Sequence, residues 1–264
     1  MTERGTIRLG FQGPVARLTL DNPRRRNALS WAMLGDLDAA LSHIEAARET
    51  RVVLLDAVPS GCFSAGADVT EWGTLPPQDM GPVFVRSGNR VFNRLAALDA
   101  ISIALVGENA FGGGFELALA ADFRLLAEDA RLGFPETGIG AVPAWLGGVR
   151  LAMMAGPSWA KRVVLLGEML DAATALSLGV ADAISPAAAL EVRAQEVVAA
   201  LLRRSPVATS AAKRLLALVA DAAPFGSAHE LAANACRASP DAEEGLRAFR
   251  EKRPAVFAAP GPQS

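Results

Sequence analysis

Glu116 and Glu136 stand twenty residues apart, Glu116 after the triplet Gly112-Gly113-Gly114 and Glu136 after Pro135. Two carboxyls carried on separate backbone turns can converge on one small volume. A glycine triplet lets a ligand approach the main chain closely enough to use its N–H groups as donors. The chemistry this suggests is general acid/base catalysis beside an oxyanion hole. Glu116 lies in the apolar stretch Phe115-Glu116-Leu117-Ala118-Leu119-Ala120-Ala121, so burial should desolvate its carboxyl and raise its pKa towards working pH. Glu136 follows Phe134-Pro135 in similarly apolar surroundings.

Two segments offer backbone donors. In Phe63-Ser64-Ala65-Gly66-Ala67-Asp68, just past the apolar run Val52 to Ala57, small side chains allow amides to face a ligand at the carboxyl ends of the strands. Taken alone it is an ordinary tight turn. The glycine triplet, read as joining a strand to a helix, presents free N–H groups at the positive end of the helix dipole. Other chemistries lack their residues: there is no G-x-S-x-G elbow, no G-x-G-x-x-G after a strand and no Walker A loop. The two histidines, His43 and His229, suggest no catalyst, His43 lying on an amphipathic helix. No metal cluster is indicated, and Cys62 and Cys236 are too far apart in sequence for a C-x-x-C unit.

The elements that must position these residues show in the apolar pattern. Ala16, Leu18 and Leu20 alternate with Arg17 and Thr19, which predicts a half-buried strand, and Ser30 to about Ala47 carries apolar residues at helical spacing. Val52 to Leu55, Ile101 to Val106 and Phe123 to Ala127 read as strands buried on both faces by helices. Strand signals fade beyond about residue 155. Asp171 caps a short helix ending at Gly179, helices follow over Ala187 to Arg204 and Val207 to Ala222, and a last one begins at Ser239-Pro240 and stops at Pro254. The fold class is α/β with a substantial parallel component.

The 264 residues, 51% hydrophobic and 20% charged, suit a packed globule, and a net charge of -2 gives no electrostatic case for a nucleic-acid or membrane partner. No apolar run approaches the roughly 18 residues of a membrane span. The N-terminus MTERGTIRLG opens with charges, so a cytoplasmic protein is expected.

Ala65-Gly66-Ala67-Asp68, Gly112-Gly113-Gly114-Phe115-Glu116 and Phe134-Pro135-Glu136 occur in the order and at the approximate spacings of one superfamily. The chain resembles the crotonases, or enoyl-CoA hydratases/isomerases, from Asp21-Asn22-Pro23 to Arg253, and most resembles the hydratases. The resemblance implies a spiral of repeated ββα units over residues 1–195 and a helical C-terminal region over 196–264 that builds trimers, two of which can stack as a hexamer. It implies Glu116 and Glu136 as the catalytic pair and the Ala67 and Gly113 N–H groups as the oxyanion hole. An acyl-CoA thioester would be the substrate, with Arg24, Arg25, Ala65, Asp68, Phe249 and Lys252 at the coenzyme A portion. No separate cofactor is implied, since coenzyme A enters with the substrate.

The segment after Pro143 departs from the family's glycine-rich pattern with Ala144, Trp145 and Leu146. Together with Trp72 and Phe84, the bulk of Trp145 and Leu146 is expected to restrict the acyl pocket. The implied reaction is syn hydration of the 2,3 double bond. Two alternatives stay open: a Δ3,Δ2-enoyl-CoA isomerase, which can operate with a single acid, and a binding member of the same fold without turnover. The presence of both glutamates favours the hydratase.

Overall fold

The computed structural model describes residues 4–204, 206–217, 234, 237, 238, 240–253 and 255. A hairpin of β1 (Thr6–Gln12) and β2 (Val15–Asp21) leads into helix α1 (Trp31–Ala46). Three strand pairs follow: β3 (Val52–Ala57) with β4 (Cys62–Ser64), β5 (Ile101–Val106) with β6 (Asn109–Phe111), and β7 (Phe123–Ala127) with β8 (Arg131–Gly133). Helices α2 (Val69–Trp72) and α3 (Arg86–Ala97) come after the first pair, α4 (Gly113–Ala120) after the second and α5 (Gly147–Leu165) after the third. The chain continues through β9 (Leu170–Asp171), α6 (Ala172–Ser177), β10 (Ala183–Ser185), α7 (Leu190–Leu202) and α8 (Pro206–Ala217), and α9 (Pro240–Glu251) lies near its end.

The first strand of each pair enters a six-stranded sheet ordered β1-β2-β3-β5-β7-β10, and the second a four-stranded sheet ordered β4-β6-β8-β9. This is the ββα repeat that the resemblance implied. Its physical basis is legible in β3 and β5. Val52, Leu54, Ile103 and Leu105 pack towards Leu190, Ala194 and Val198 of α7, while Val53, Leu55, Ala104 and Val106 join the main core with α1. Helices on both faces require apolar residues at every position, so the alternation that marks β2 disappears here.

Helix α1 matches its sequence expectation: the Ser30 side chain accepts the Met33 N–H, and Met33, Leu34, Leu37, Leu41 and Ile44 are buried. Asp171 caps α6 by accepting the Thr174 N–H, and Gly179 lies just beyond at φ 71. Other elements differ. Strands do not end near residue 155, since β10 pairs parallel with β7. The triplet does not join β5 directly to a helix, because β6 intervenes. Both β6 and β10 have three residues, too few for periodicity to register. Helix α5 contains Gly156 at φ 81 followed by Pro157, a break that interrupts the helical pattern.

The expected helix from Ala187 is a 3-10 turn, Ala187–Ala189, followed by α7, which runs unbroken through residue 195. The stretch from 218 to 222 of the expected helix after Val207, together with Ser239, Pro254, His229 and Cys236, lies outside the described residues. Cys62 is a buried free thiol. No helix among the described residues is long and apolar enough to cross a membrane.

Candidate active site

β4, β6 and β8 pair parallel in that order, so their carboxyl ends lie side by side about 4.8 Å apart. Each end delivers one segment. β4 leads into Ala65-Gly66-Ala67, β6 into Gly112 and α4, and β8 into Phe134-Pro135-Glu136. Pairing of three-residue strands thus gathers positions up to seventy residues apart, from Gly66 to Glu136.

Local hydrogen bonds fix the first segment. Leu29 N–H donates to Gly66 O at 2.7 Å, Asp68 N–H to Leu29 O at 2.9 Å and Ala65 N–H to Arg26 O at 2.9 Å. The N–H groups of Ala67 and Gly113 have no acceptor among the described residues. They are neighbours: a Cβ placed on Gly113 would lie 3.2 Å from the Ala67 nitrogen. Gly113 begins α4, where the N–H groups of the first turn have no intrahelical acceptor. Gly112 precedes it at φ 50, ψ −129, a conformation that requires glycine.

Glu116 is 2% exposed, and its Oε1 accepts the N–H groups of Trp145 and Gly147, both at 2.8 Å. Burial raises its pKa to about 7, opposed by those two bonds and by the charge of Arg150. Glu136 opens a 3-10 turn, Glu136–Ile139, and its Oε1 lies 2.9 Å from where a Gly112 Cβ would sit. Its Oε2 is buried without a hydrogen-bond partner among the described residues. Burial and then the charge of Glu116 raise its pKa to about 8. The two carboxyls are therefore unlike. Donors and a cation favour the charged form of Glu116, whereas the unpartnered oxygen and a like charge favour the neutral form of Glu136.

Both glutamates line a cavity of about 80 Å³, with Ala67, Gly113, Trp72, Phe84 and Trp145. The Trp145 ring lies 4.8 Å from Phe84, and its Nε1 donates to Phe84 O at 3.1 Å. Leu146 does not line the cavity; it caps α5 at φ 67. Of the four residues expected at the acyl pocket, three are brought together.

Among the residues expected at coenzyme A, Ala65 borders the cavity. Arg25 and Asp68 meet each other, Nη1 to Oδ2 at 2.5 Å, while Asp68 also caps α2 by accepting the Thr70 N–H. Arg24 shares the 3-10 turn Pro23–Arg25 with Arg25. Phe249 and Lys252 are exposed, one on α9 and one just beyond it. Helix α9 itself packs on the Glu136 turn: a Cβ on Gly245 would lie 2.2 Å from Ile139 O. His43 is an exposed helix residue with Nδ1 2.8 Å from Ala39 O.

Sequence reasoning missed the Trp145 and Gly147 amides and Arg150. Amides carry no residue-type signal, but the single charge within Leu146-Gly147-Gly148-Val149-Arg150-Leu151-Ala152 is a detectable anomaly. A larger cavity, about 820 Å³, lies at the amino ends of β3 and β5 against α8. It holds neither glutamate, and its Arg51 and Arg214 are bound to the α7 carbonyl end and to Asp99. The smaller cavity carries both glutamates.

Comparison with known proteins places the chain in a family. A family model described as enoyl-CoA hydratase/isomerase matches residues 10–260. The short-chain-enoyl-CoA hydratase of Clostridium acetobutylicum is 30% identical over 95% of this chain and 97% of its own. The carnitinyl-CoA dehydratase of Citrobacter koseri is 31% identical over 93% and 95%. The crystal structure of an enoyl-CoA hydratase from Mycobacterium avium subsp. paratuberculosis superposes with a TM-score of 0.85 at 27% identity, covering 96% of this chain and 98% of that one. The chain belongs to the enoyl-CoA hydratase/isomerase family.

Proposed function

We propose that this protein hydrates the 2,3 double bond of a short enoyl-CoA thioester. The observation that carries this reading is the pair of unlike buried carboxyls on the same cavity as two unpaired backbone N–H groups. The thioester oxygen would accept from Ala67 and Gly113. Charged Glu116 would orient a water and take its proton as the oxygen bonds to C3, and the electron pair of the double bond would shift towards the thioester. The two amides would stabilise that enolate-like charge as it forms. Neutral Glu136 would then give its proton to C2, so that water has added as OH and H on one face. A proton passing from Glu116 to Glu136 restores the starting state.

No further cofactor is needed for these steps. Arg24 and Arg25 suit the coenzyme A phosphates, with Arg25 steadied by Asp68. Ala65, Phe249 and Lys252 complete the proposed coenzyme A contacts. The proposed assembly is a homotrimer or a dimer of trimers, supported by the exposed Met153, Met154, Leu165, Leu166 and Met169 on and after α5.

The cavity beside the two carboxyls is small, about 80 Å³. Trp145 and Phe84 wall it, so the acyl end must be short. An assay of enoyl-CoAs from four to sixteen carbons tests this, each methylene that does not fit costing roughly tenfold or more. Efficiency is expected to fall steeply beyond the shortest substrates. Equal efficiency across the range would remove the short-chain assignment, and hydration of none would remove the hydratase reading. Transfer of a double bond without hydration would favour the isomerase.

A further inference from the structure

Arg150 takes part in none of the steps above, yet its charge acts on Glu116 and its guanidinium is bonded to the turn that holds Glu116. Its Nη1 donates to Trp145 O at 3.0 Å and its Nη2 to Asn93 Oδ1 on α3 at 2.7 Å. The Trp145 carbonyl belongs to the turn whose amides, Trp145 N–H and Gly147 N–H, both grip Glu116 Oε1. Between them Leu146 holds φ 67, a left-handed conformation that costs a non-glycine residue roughly 1 kcal/mol or more. The turn therefore needs an external hold, and the guanidinium is bonded to its carbonyl.

We propose that Arg150 is a positioning residue for hydration: it locks the Trp145–Gly147 turn onto Glu116 and supplies the cation that balances the Glu116 carboxylate. This rests on the hydratase reading for its catalytic consequence but on the site geometry for its physical content. The charged groups acting on Glu116 are Arg150 from α5 and Glu136 from the turn after β8. On α3, Arg86 is itself engaged and Arg90 and Arg94 are held by Asp38 of α1, while β4 and β6 bring no charged side chain. Burial pulls the Arg150 pKa down to about 10, which still leaves it a cation at neutral pH. Arg150 is half-buried, so its attraction to the buried Glu116 carboxylate is only partly screened.

The test replaces Arg150 by Met, by Gln and by Lys. Two quantities are read: the pH dependence of kcat/KM, and the titration of the Glu116 carboxylate by infrared difference spectroscopy, its band identified by loss in Glu116→Gln. In Arg150→Met the infrared midpoint and the acid limb are expected to move up together by about one pH unit or more. Turnover at neutral pH falls, while KM changes by less than about threefold. Arg150→Gln keeps a donor for Trp145 O without charge and is expected to show the same upward shift, which covers the case in which the Met variant does not fold. Arg150→Lys restores most of the midpoint. A folded Met or Gln variant whose midpoint and limb stay at the parental values overturns the proposal. The infrared arm needs no turnover, so failure of the hydratase reading would show as absent activity in the parent protein and leave the Arg150 test standing.

Discussion

Glu136 carries a buried oxygen with no donor among the described residues, and burying that carboxyl has a pH-dependent cost. Burial raises its folded-state pKa to about 8, above the value near 4.3 of an unfolded chain. The folded state therefore holds this proton more tightly than the unfolded one. The associated stability is fully present below the unfolded value and is lost as pH rises through the folded value. Glutamine cannot ionise and does not suffer that loss. The melting temperature of Glu136→Gln relative to the parent protein is expected to rise between pH 5 and pH 9, measured by thermal unfolding; a constant difference would contradict the assigned burial of the carboxyl. Both glutamates were legible in the sequence because residue type and turn signal coincide at each. The amides that hold Glu116 were not, since a backbone N–H is the same for Trp145 as for any other residue except proline.

At the scale of elements, the site is a product of short strands and of one late helix. Val52 to Leu55, Ile101 to Val106 and Phe123 to Ala127 declared themselves by continuous apolar runs, yet they build the other sheet. The strands that gather the site, β4, β6 and β8, have three residues each and give no period to read. Their alignment follows from parallel pairing, a long-range fact. The same holds for α9, whose sequence signalled a helix but not that it rests on the Glu136 turn. Gly245 is the point of contact, and in Gly245→Ala the new methyl would meet the Ile139 carbonyl at 2.2 Å. Two backbone segments must then separate, at about 1–3 kcal/mol for an overpacked contact. Turnover and melting temperature are both expected to fall, with thioester affinity less affected. Parental turnover and stability in this variant would show that α9 does not position Glu136.

For the whole molecule, the resemblance read from three separated motifs implied the ββα spiral, and the two sheets show why such motifs occur together: each sits at the carboxyl end of a neighbouring short strand. The cavity proposed to take the acyl group was legible in part. The bulk of Trp145 pointed to a restricted cavity, whereas Leu146, adjacent in sequence, turns away because the chain takes a left-handed step there. The central claim concerns the molecule as a catalyst in which two unlike carboxyls work as one unit. Its most direct measurement is the hydration turnover of Glu116→Gln, Glu136→Gln and the double variant on the best enoyl-CoA substrate, with thioester binding and folding measured alongside. Each single change is expected to lower turnover by at least about a hundredfold, and the double change to cost little more than the worse single one. A folded single variant that binds the thioester and retains near-parental turnover would contradict the paired-carboxylate mechanism.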